Sequence, residues 1–490
     1  MAATLRASKQ GLEIVDDKRK KKGWTKHSPK WSQPEKTDII IPIASLKRFW
    51  RRIPIERDAF VEICQRIGVN NWEEIVDNNL ALEVDSRPEF FAYDSSWVGR
   101  EKLVAELTDK LRGSCRLLLI LGLTGIGKTA LAEKLAVELQ EWFGGDWKQK
   151  LRRANFDYED KANDFASVAA RWLEEWGERL STEDRKPEKL LYKLINYLCK
   201  NQVLILIDSL EKLLTGNAAD VWGDFADEWW KRFFLNILSV EYCQSRIIIT
   251  SQDLPVKLVD SRYQNFWYRK ILYGLTEPEQ IALFETTGLD VSEDSSDKPL
   301  LMRIGKAYKG HPLVLRVIIG EILSEPFNGD VQAYWNDNRE NTREKIEEVE
   351  KDLAEAEQGK KLGDQDEWEL HKLTKEVREQ VNKQRLQIAF NRLARDVKEA
   401  YILLCAASVY RASEKEEYWL KHLVHWWKHL SQEECSKERQ VRALEELSNR
   451  FLVEESFNHN KKRVLGQHNL IRSVAIEHHN QLLSRFKFEI

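Results

Sequence analysis

Apolar and polar positions along this chain fall into two repeating patterns. Unbroken apolar runs occupy 117–121, 203–207 and 247–249, the last two within the segments 202–208 and 245–253, which begin and end in polar residues. Parallel strands covered on both faces read this way. Helical spacing fills the stretches around them, with Leu103, Leu107 and Leu111 before the first run and Ala130, Leu131, Leu135, Ala136 and Leu139 directly after it. Further helices are expected from 165 to about 180 and over 190–199, and a second strand over 155–158. Another helix starts near Leu275, with Thr276 as its cap and Pro278 in its first turn. Strands and helices alternating in this order predict a multidomain α/β protein built on a parallel sheet.

The flanks carry other patterns. The head, 1–87, reads as short helices: one closed by the basic run 18–22, one over 45–52, one over 57–68 with Phe60, Val61, Cys64 and Ile67 on one face, and a last one over 72–76. Residues 88–96 read as a linker, and 97–290 as the sheet domain. A small helical unit occupies 291–335. The highly charged stretch 336–389 places Ile346, Val349, Leu353 and Ala356, and after 359–364 Leu370, Leu373 and Val377, at spacings of three and four. That is a helical hairpin with a coiled-coil-like seam. It serves either as a partner or oligomer surface or as a solvated connecting arm. Over 390–490 an apolar helix at 401–410, a helix running into a strand at 443–455, an apolar pair at Val464 and Leu465 and a final helix follow.

Charge changes this picture at one end. The formal net charge of the 490-residue chain is −3, which gives the whole molecule no pull toward nucleic acid or anionic membrane. Met1 to Phe60, however, holds 15 Lys and Arg against 7 Asp and Glu, a local charge of +8 that leaves −11 on the remainder. A basic head on an acidic body points to DNA or to docking of the head on the body itself. The cations Lys47, Arg48, Arg51 and Arg52 on the 45–52 segment are the candidate DNA contacts, while Leu46, Phe49, Trp50 and Ile53 at helical spacing form core. Six scattered cysteines without a Cys-x-x-Cys pair read as reduced core residues of a cytoplasmic protein. No signal peptide and no run approaching the roughly 20 apolar residues of a membrane span is expected.

The chemistry concentrates after the first apolar run. Gly122-x-x-x-x-Gly127-Lys128-Thr129 follows a strand and opens a helix, the context that a phosphate-binding loop requires. Gly122, Gly125 and Gly127 let the backbone turn and aim N–H groups at phosphate oxygens, and the helix dipole adds to them. Lys128 is expected at the β- and γ-phosphates and the Thr129 hydroxyl on Mg²⁺, with Thr124, Ile126 and Ala130 completing the cradle. The run 202–208 ends in Asp208, at the edge of the sheet where ligands bind, which makes it the Mg²⁺ partner. Glu211, nearly one turn on, is either the base that polarises the attacking water or an acid placed for the helix dipole. Thr250 to Gln252, the polar end of the fourth strand, are expected beside the γ-phosphate.

These pieces in this order resemble the NB-ARC type of signal-transduction ATPase, of the STAND class within the AAA-like superfamily, from about Trp97 to the carboxyl end. Val98-Gly-Arg100 resembles its adenine-side motif. Gly310-His-Pro312-Leu resembles its Gly-Leu-Pro-Leu motif, whose proline packs near the base. Gln467-His468-Asn469 resembles its Met-His-Asp motif, whose histidine touches the β-phosphate of ADP and locks the closed state. By the same resemblance 291–335 is the first helical domain after the nucleotide domain, 390–490 is a winged helix, and the head resembles a Cro-like helix-turn-helix fold with 45–52 in the recognition-helix place. Three positions depart from the family: Ser209 where many relatives carry a second acid, Thr-Ser-Gln252 where many carry Thr-Thr-Arg, and Asn469 for aspartate. The first two imply weak hydrolysis, or a switch that reads nucleotide by binding more than by turnover, and the third puts less charge on the lock.

The resemblance therefore implies an ADP/ATP switch with Mg²⁺ as cofactor, slow or partner-stimulated ATPase activity, and protein partners or self-assembly. It would control an effector head; the alternative is a DNA-binding transcriptional regulator gated by nucleotide. Relatives continue into sensor repeats. No repeat of roughly 20 to 50 residues occurs in this chain, so the sensor is expected to be absent, supplied by another protein, or built from the hairpin.

Overall fold

The structure, a computed structural model, describes residues 4–24, 31, 41, 43–50, 55–77, 97–143, 147–157, 163–215, 222–255, 263–339, 341–358, 367–457 and 462–486. The chain divides into two compact units. The first comprises Met1–Gly99, Leu275–Ala354 and Gln380–Ile490, and the second Arg100–Gly274 and Glu355–Glu379. The linker read over 88–96 and the turn read over 359–364 lie outside the described residues.

In the first unit, the head pairs two short antiparallel strands, β1 (Thr4–Leu5) and β2 (Ile55–Glu56), beside the helices Lys9–Lys21, Ile43–Trp50 and Arg57–Arg66. Trp24, Trp31 and Trp50 meet edge to face at 5.2 and 6.1 Å over a core that includes Phe49, Phe60, Ile63 and Cys64. Within this head the basic run has an internal use. Lys18 Nζ donates to the carbonyl of Gly68 at 2.6 Å and Lys22 Nζ to that of Arg66 at 2.5 Å, so cations at the end of one helix bind carbonyls at the end of another.

The second unit holds the parallel sheet. Its strands are β3 (Leu117–Leu121), β4 (Leu151–Asn155), β5 (Leu204–Asp208), β8 (Arg246–Ser251) and β10 (Trp267–Ile271), in the order β10-β3-β8-β5-β4. A small second sheet is made by β6 (Leu214–Thr215), β7 (Trp222–Phe225) and β9 (Leu254–Pro255). Every residue of β3 and β8 is buried, as continuous apolar strands in the middle of a doubly covered sheet must be. The second strand runs over 151–155 and not over 155–158; Phe156 and Asp157 follow it in a turn. The edge position explains the shift, because Arg152 and Arg153 sit within this strand and reach out to Glu175 and Glu133. The helices Phe165–Glu175, Pro187–Lys200 and Glu228–Ser239 cover one face around Trp172, Trp230, Phe233 and Phe234.

The rest of the first unit is helical up to the last domain. Helix Glu277–Thr287 starts at a capping box in which Thr276 and Glu279 satisfy each other's backbone donors. Helices Lys298–Ala307, Pro312–Leu323 and Val331–Trp335 follow. Helix Thr342–Gln358 and the long helix Glu367–Asp396 come next, with their Glu355–Glu379 part belonging to the second unit and the latter crossing the 389/390 boundary of the sequence reading without a break. The winged helix has helices Lys398–Ala406, Glu416–Ser431, Lys437–Asn449 and Asn469–Phe486 around the antiparallel sheet β11 (Glu414–Lys415), β13 (Arg463–Gly466), β12 (Glu454–Phe457).

Helix Pro312–Leu323 is welded to that winged helix. Val317 shares its core with Leu386, Phe390, Leu403, Leu447 and Val474. Gly320 allows the backbones to close up, since a Cβ there would lie 2.5 Å from Arg450 Cα. Buried Glu321 receives Arg385 Nη2 at 2.6 Å and Arg392 Nη1 at 2.8 Å, and Arg392 reaches Asp337 at 3.1 Å. Pro312 and His468 therefore belong to one packed body. Among the described residues no helix is long and apolar enough to cross a membrane, and all six cysteines are free.

Candidate functional site

The site grows from the carboxyl edge of the parallel sheet. β3 leads into the loop 122–127, where Gly125 and Gly127 adopt φ of 81° and 94°, a region that favours glycine. Helix Lys128–Glu138 starts directly afterwards with no acidic residue in its first turn and no side-chain cap on Gly127. Its first N–H groups and dipole are thus left to an anion from outside the helix. Arg100 braces the loop from behind: its Nη2 donates to the carbonyls of Ile126 at 2.9 Å and Tyr273 at 3.0 Å. A Cβ at Gly127 would sit 2.9 Å from Arg100 Nη1. Arg100 thus supports the phosphate loop through its backbone carbonyls.

Lys128 turns its Nζ toward the loop, donating to the carbonyls of Gly122 at 2.9 Å and Leu123 at 3.0 Å. Burial pulls its pKa below the usual lysine value, against Glu211 and Asp208, which hold the ammonium form. Next to it the Thr129 hydroxyl donates to Asp208, at 2.9 Å to Oδ1 and 3.1 Å to Oδ2. The Thr250 hydroxyl also donates to Asp208 Oδ1, and Asn155 Nδ2 to Oδ2 at 3.2 Å. The start of helix Lys128–Glu138 and the two strands beside β5 thus fix this carboxylate. Glu211 and Gln252, read separately in the sequence, are partners here. Gln252 donates its backbone N–H to Glu211 Oε2 at 3.1 Å and its Nε2–H to Oε1 at 2.9 Å.

Sequence reasoning missed other members of this site and the role of one it had placed there. Asn155 holds Asp208, and so does Thr250, which was expected beside the γ-phosphate. Asp157 accepts the hydroxyl of Ser209, lies 3.5 Å from Lys212, and acts on the charge of Lys128. Ser209, the residue standing where a second acid was expected, is buried with φ of 63°. The placement of Asp157 was hidden because β4 was read four residues late. Asp253 and Lys375 form an ion pair at 2.7 Å, with nothing in the local pattern to join residues so distant in sequence.

Other candidate residues belong to the other compact unit. Val98, Pro312 and His468 belong to the first unit. There Pro312 is the first residue of its helix, and His311 caps that helix by accepting from Val314 N at 3.4 Å. Gly310, with φ of 65°, faces Leu275 so closely that a Cβ would meet its carbonyl oxygen at 2.1 Å. His468 is half-buried, and its Nδ1 accepts from Leu470 N at 3.2 Å at the start of the last helix. Arg51 and Arg52 lie outside the described residues, as do the side chains of Lys47 and Arg48; the helix that carries the latter two turns Leu46, Phe49 and Trp50 into the head core.

Asp208 and Thr129 offer hard oxygens side by side, which suits Mg²⁺. Among the described residues no group of three or more His, Cys, Asp and Glu is placed to hold a metal. One carboxylate and one hydroxyl, with substrate phosphates supplying the rest, is how Mg²⁺ is usually held in nucleotide sites. The glycine loop, the uncapped helix start and Lys128 fit a phosphate chain beside it.

Comparison with known proteins agrees with this core. Residues 96–228 match the family model of the AAA ATPase domain. The chain carries such a domain, on a P-loop α/β sheet joined to helical domains, and nucleotide binding is implied. An uncharacterized WD repeat-containing protein of Nostoc sp. is 25% identical over 379 residues, 70% of this chain and 29% of that protein. The chain thus spans under a third of that relative's length. Among solved structures, a signal transduction ATPase with numerous domains carrying a tetratricopeptide repeat sensor, from Pyrococcus horikoshii, aligns at 16% identity and TM-score 0.43 over 80% of this chain and 43% of that one. Cdc6p from Pyrobaculum aerophilum aligns at 12% identity and TM-score 0.33 over 81% of this chain and 98% of that one.

Proposed function

We propose that this chain is a nucleotide-dependent signalling switch of the NB-ARC type, bound to ADP at rest and to ATP with Mg²⁺ when active. The observation that carries the reading is Lys128 at the phosphate loop with Thr129 and Asp208 in direct contact beside it. Thr129 and Asp208 hold the Mg²⁺, which supplies positive charge to the phosphate oxygens. Hydrolysis is slow. Both oxygens of Glu211 are already engaged by Gln252, so orienting a water requires trading one of those bonds. No second acid stands at 209, where the serine hydroxyl is turned to Asp157.

The switching roles rest on the resemblance to NB-ARC ATPases. His468 is the contact to ADP and Pro312 the contact near the base. The two sit on one body riveted by Glu321. Exchange for ATP frees that body for assembly with partners or for release of the head. A ligand biases such an equilibrium only through its different affinity for the two states. The test is the nucleotide content of protein purified without added nucleotide and then denatured. Near-stoichiometric ADP is expected; protein that carries none and takes up none from millimolar ADP contradicts the reading.

A further inference from the structure

β8 lies between β3, which leads into the phosphate loop, and β5, which ends in Asp208. The turn that leaves β8 therefore emerges at the carboxyl edge between the two groups that define the site. Its residues are committed: Thr250 binds Asp208, Gln252 binds Glu211, and the Ser251 hydroxyl donates to the carbonyl of Asp253 at 2.7 Å, which shapes the turn. None of these side chains is a cation. A cation nevertheless arrives at this turn from 122 positions away. Lys375, on helix Glu367–Asp396 and in the same compact unit, places its Nζ 2.7 Å from Asp253 Oδ1.

We propose that Lys375 is a specificity-determining residue for the nucleotide. It contacts the terminal phosphate of a bound nucleoside triphosphate, leaving Asp253 to do so, and thereby distinguishes triphosphate from diphosphate. The inference rests on the nucleotide-switch reading above. The chemistry suits it. A lysine is a compact charge on a flexible four-carbon stem, able to move between neighbouring anions without the fixed fork of an arginine. Its present ion pair is easily traded, because the Asp253 side chain is 35% exposed and such half-exposed pairs hold weakly. Lys375 itself is only 19% exposed, so an oxyanion meeting it does so in a partly dry setting where charge-assisted contacts are strong. Its ammonium also acts on that of Lys128, adding to the lowering that burial produces, so both cations share one electrostatic neighbourhood. A phosphate chain between them relieves that repulsion.

The competing account is that the Lys375–Asp253 pair merely ties the helix to the domain. The two accounts differ in sign. Calorimetric titration of the full chain with ADP and with a non-hydrolysable ATP analogue, in Mg²⁺, compares wild type, Lys375→Met and Asp253→Asn. We expect Lys375→Met to weaken the ATP analogue about tenfold to a hundredfold, the range of a charge-assisted contact, and to leave ADP within about twofold. Asp253→Asn removes the competitor for the lysine and is expected to strengthen the analogue. A tether predicts that both variants, which break the same pair, act alike and equally on both nucleotides; that result overturns the proposal. Failure of wild type to bind either nucleotide would instead remove the switch reading beneath it.

Discussion

Glu321 gives the sharpest structural prediction, because so much is arranged around one buried carboxylate. It receives Arg385 at 2.6 Å and Arg392 at 2.8 Å, and Arg385 also donates to Tyr334 Oη at 2.8 Å. The side chains of Glu321, Arg385 and Arg392 are 1%, 3% and 2% exposed, so water cannot take over from a lost partner. Glu321→Ala leaves Arg385 as a buried guanidinium without its carboxylate, whereas Arg392 keeps Asp337 and Thr342. Removing one member of a buried pair costs about 3–5 kcal/mol. At about 2 °C per kcal/mol for a unit of nearly three hundred residues, the transition of the first unit falls by roughly 6–10 °C in scanning calorimetry. The double variant Glu321→Leu with Arg385→Leu replaces the pair by apolar groups and should recover at least half of that loss. A drop of less than about 1 kcal/mol for Glu321→Ala, the scale of a surface pair, refutes the claim that helix Pro312–Leu323 and the winged helix are held as one body by this charge.

Two more predictions concern chemistry and pH. Glu211→Gln should lower ATP turnover by roughly a hundredfold or more while leaving ADP affinity within about threefold; unchanged turnover assigns Glu211 to the helix start and not to the water. His422, His478 and His479 are each pushed below the ordinary imidazole value of 6.5, chiefly by burial. Such groups bind fewer protons in the folded than in the unfolded chain. Their stabilisation is therefore present above pH 6.5 and lost as pH falls from there through the lower folded values. Unfolding temperatures measured from about pH 7.5 down to about pH 5 should fall, and His478→Gln, which removes a ring bonded to Tyr401 and Gln387, should make that fall shallower. A slope identical to wild type contradicts the assignment.

What could be read from the chain depended on how completely an element is buried. β3 is wholly apolar, and β5 and β8 are apolar over 204–207 and 247–249, because neighbours cover both faces, and the glycine loop, its lysine and Asp208 followed from their place at the strand ends. The edge strands resisted. β4 carries Arg152 and Arg153, and β10 reads Trp-Tyr-Arg-Lys-Ile, each with one side open to polar partners, so neither announces itself as a strand. Misplacing β4 hid Asp157. The head's helices were readable from Phe60 and Cys64 and their neighbours, but β1 and β2 are two residues each, too short for any periodicity. The charged stretch read as a separate hairpin ends in a helix whose later residues, Leu386, Ala389 and Phe390, are winged-helix core. Pairs such as Glu211 with Gln252 and Asp253 with Lys375 depend on packing between elements, which spacing along the chain does not encode.

The central claim is that Lys128 and its loop hold a nucleotide. Calorimetric titration of ADP with Mg²⁺ into wild type and Lys128→Ala, after removal of any nucleotide carried through purification, tests it most directly. The account predicts saturable one-to-one binding to wild type, weakened by roughly a hundredfold or more in the variant, with the unfolding temperature of the nucleotide-free forms nearly equal. Equal affinity in both proteins would place the nucleotide somewhere other than the loop 122–129.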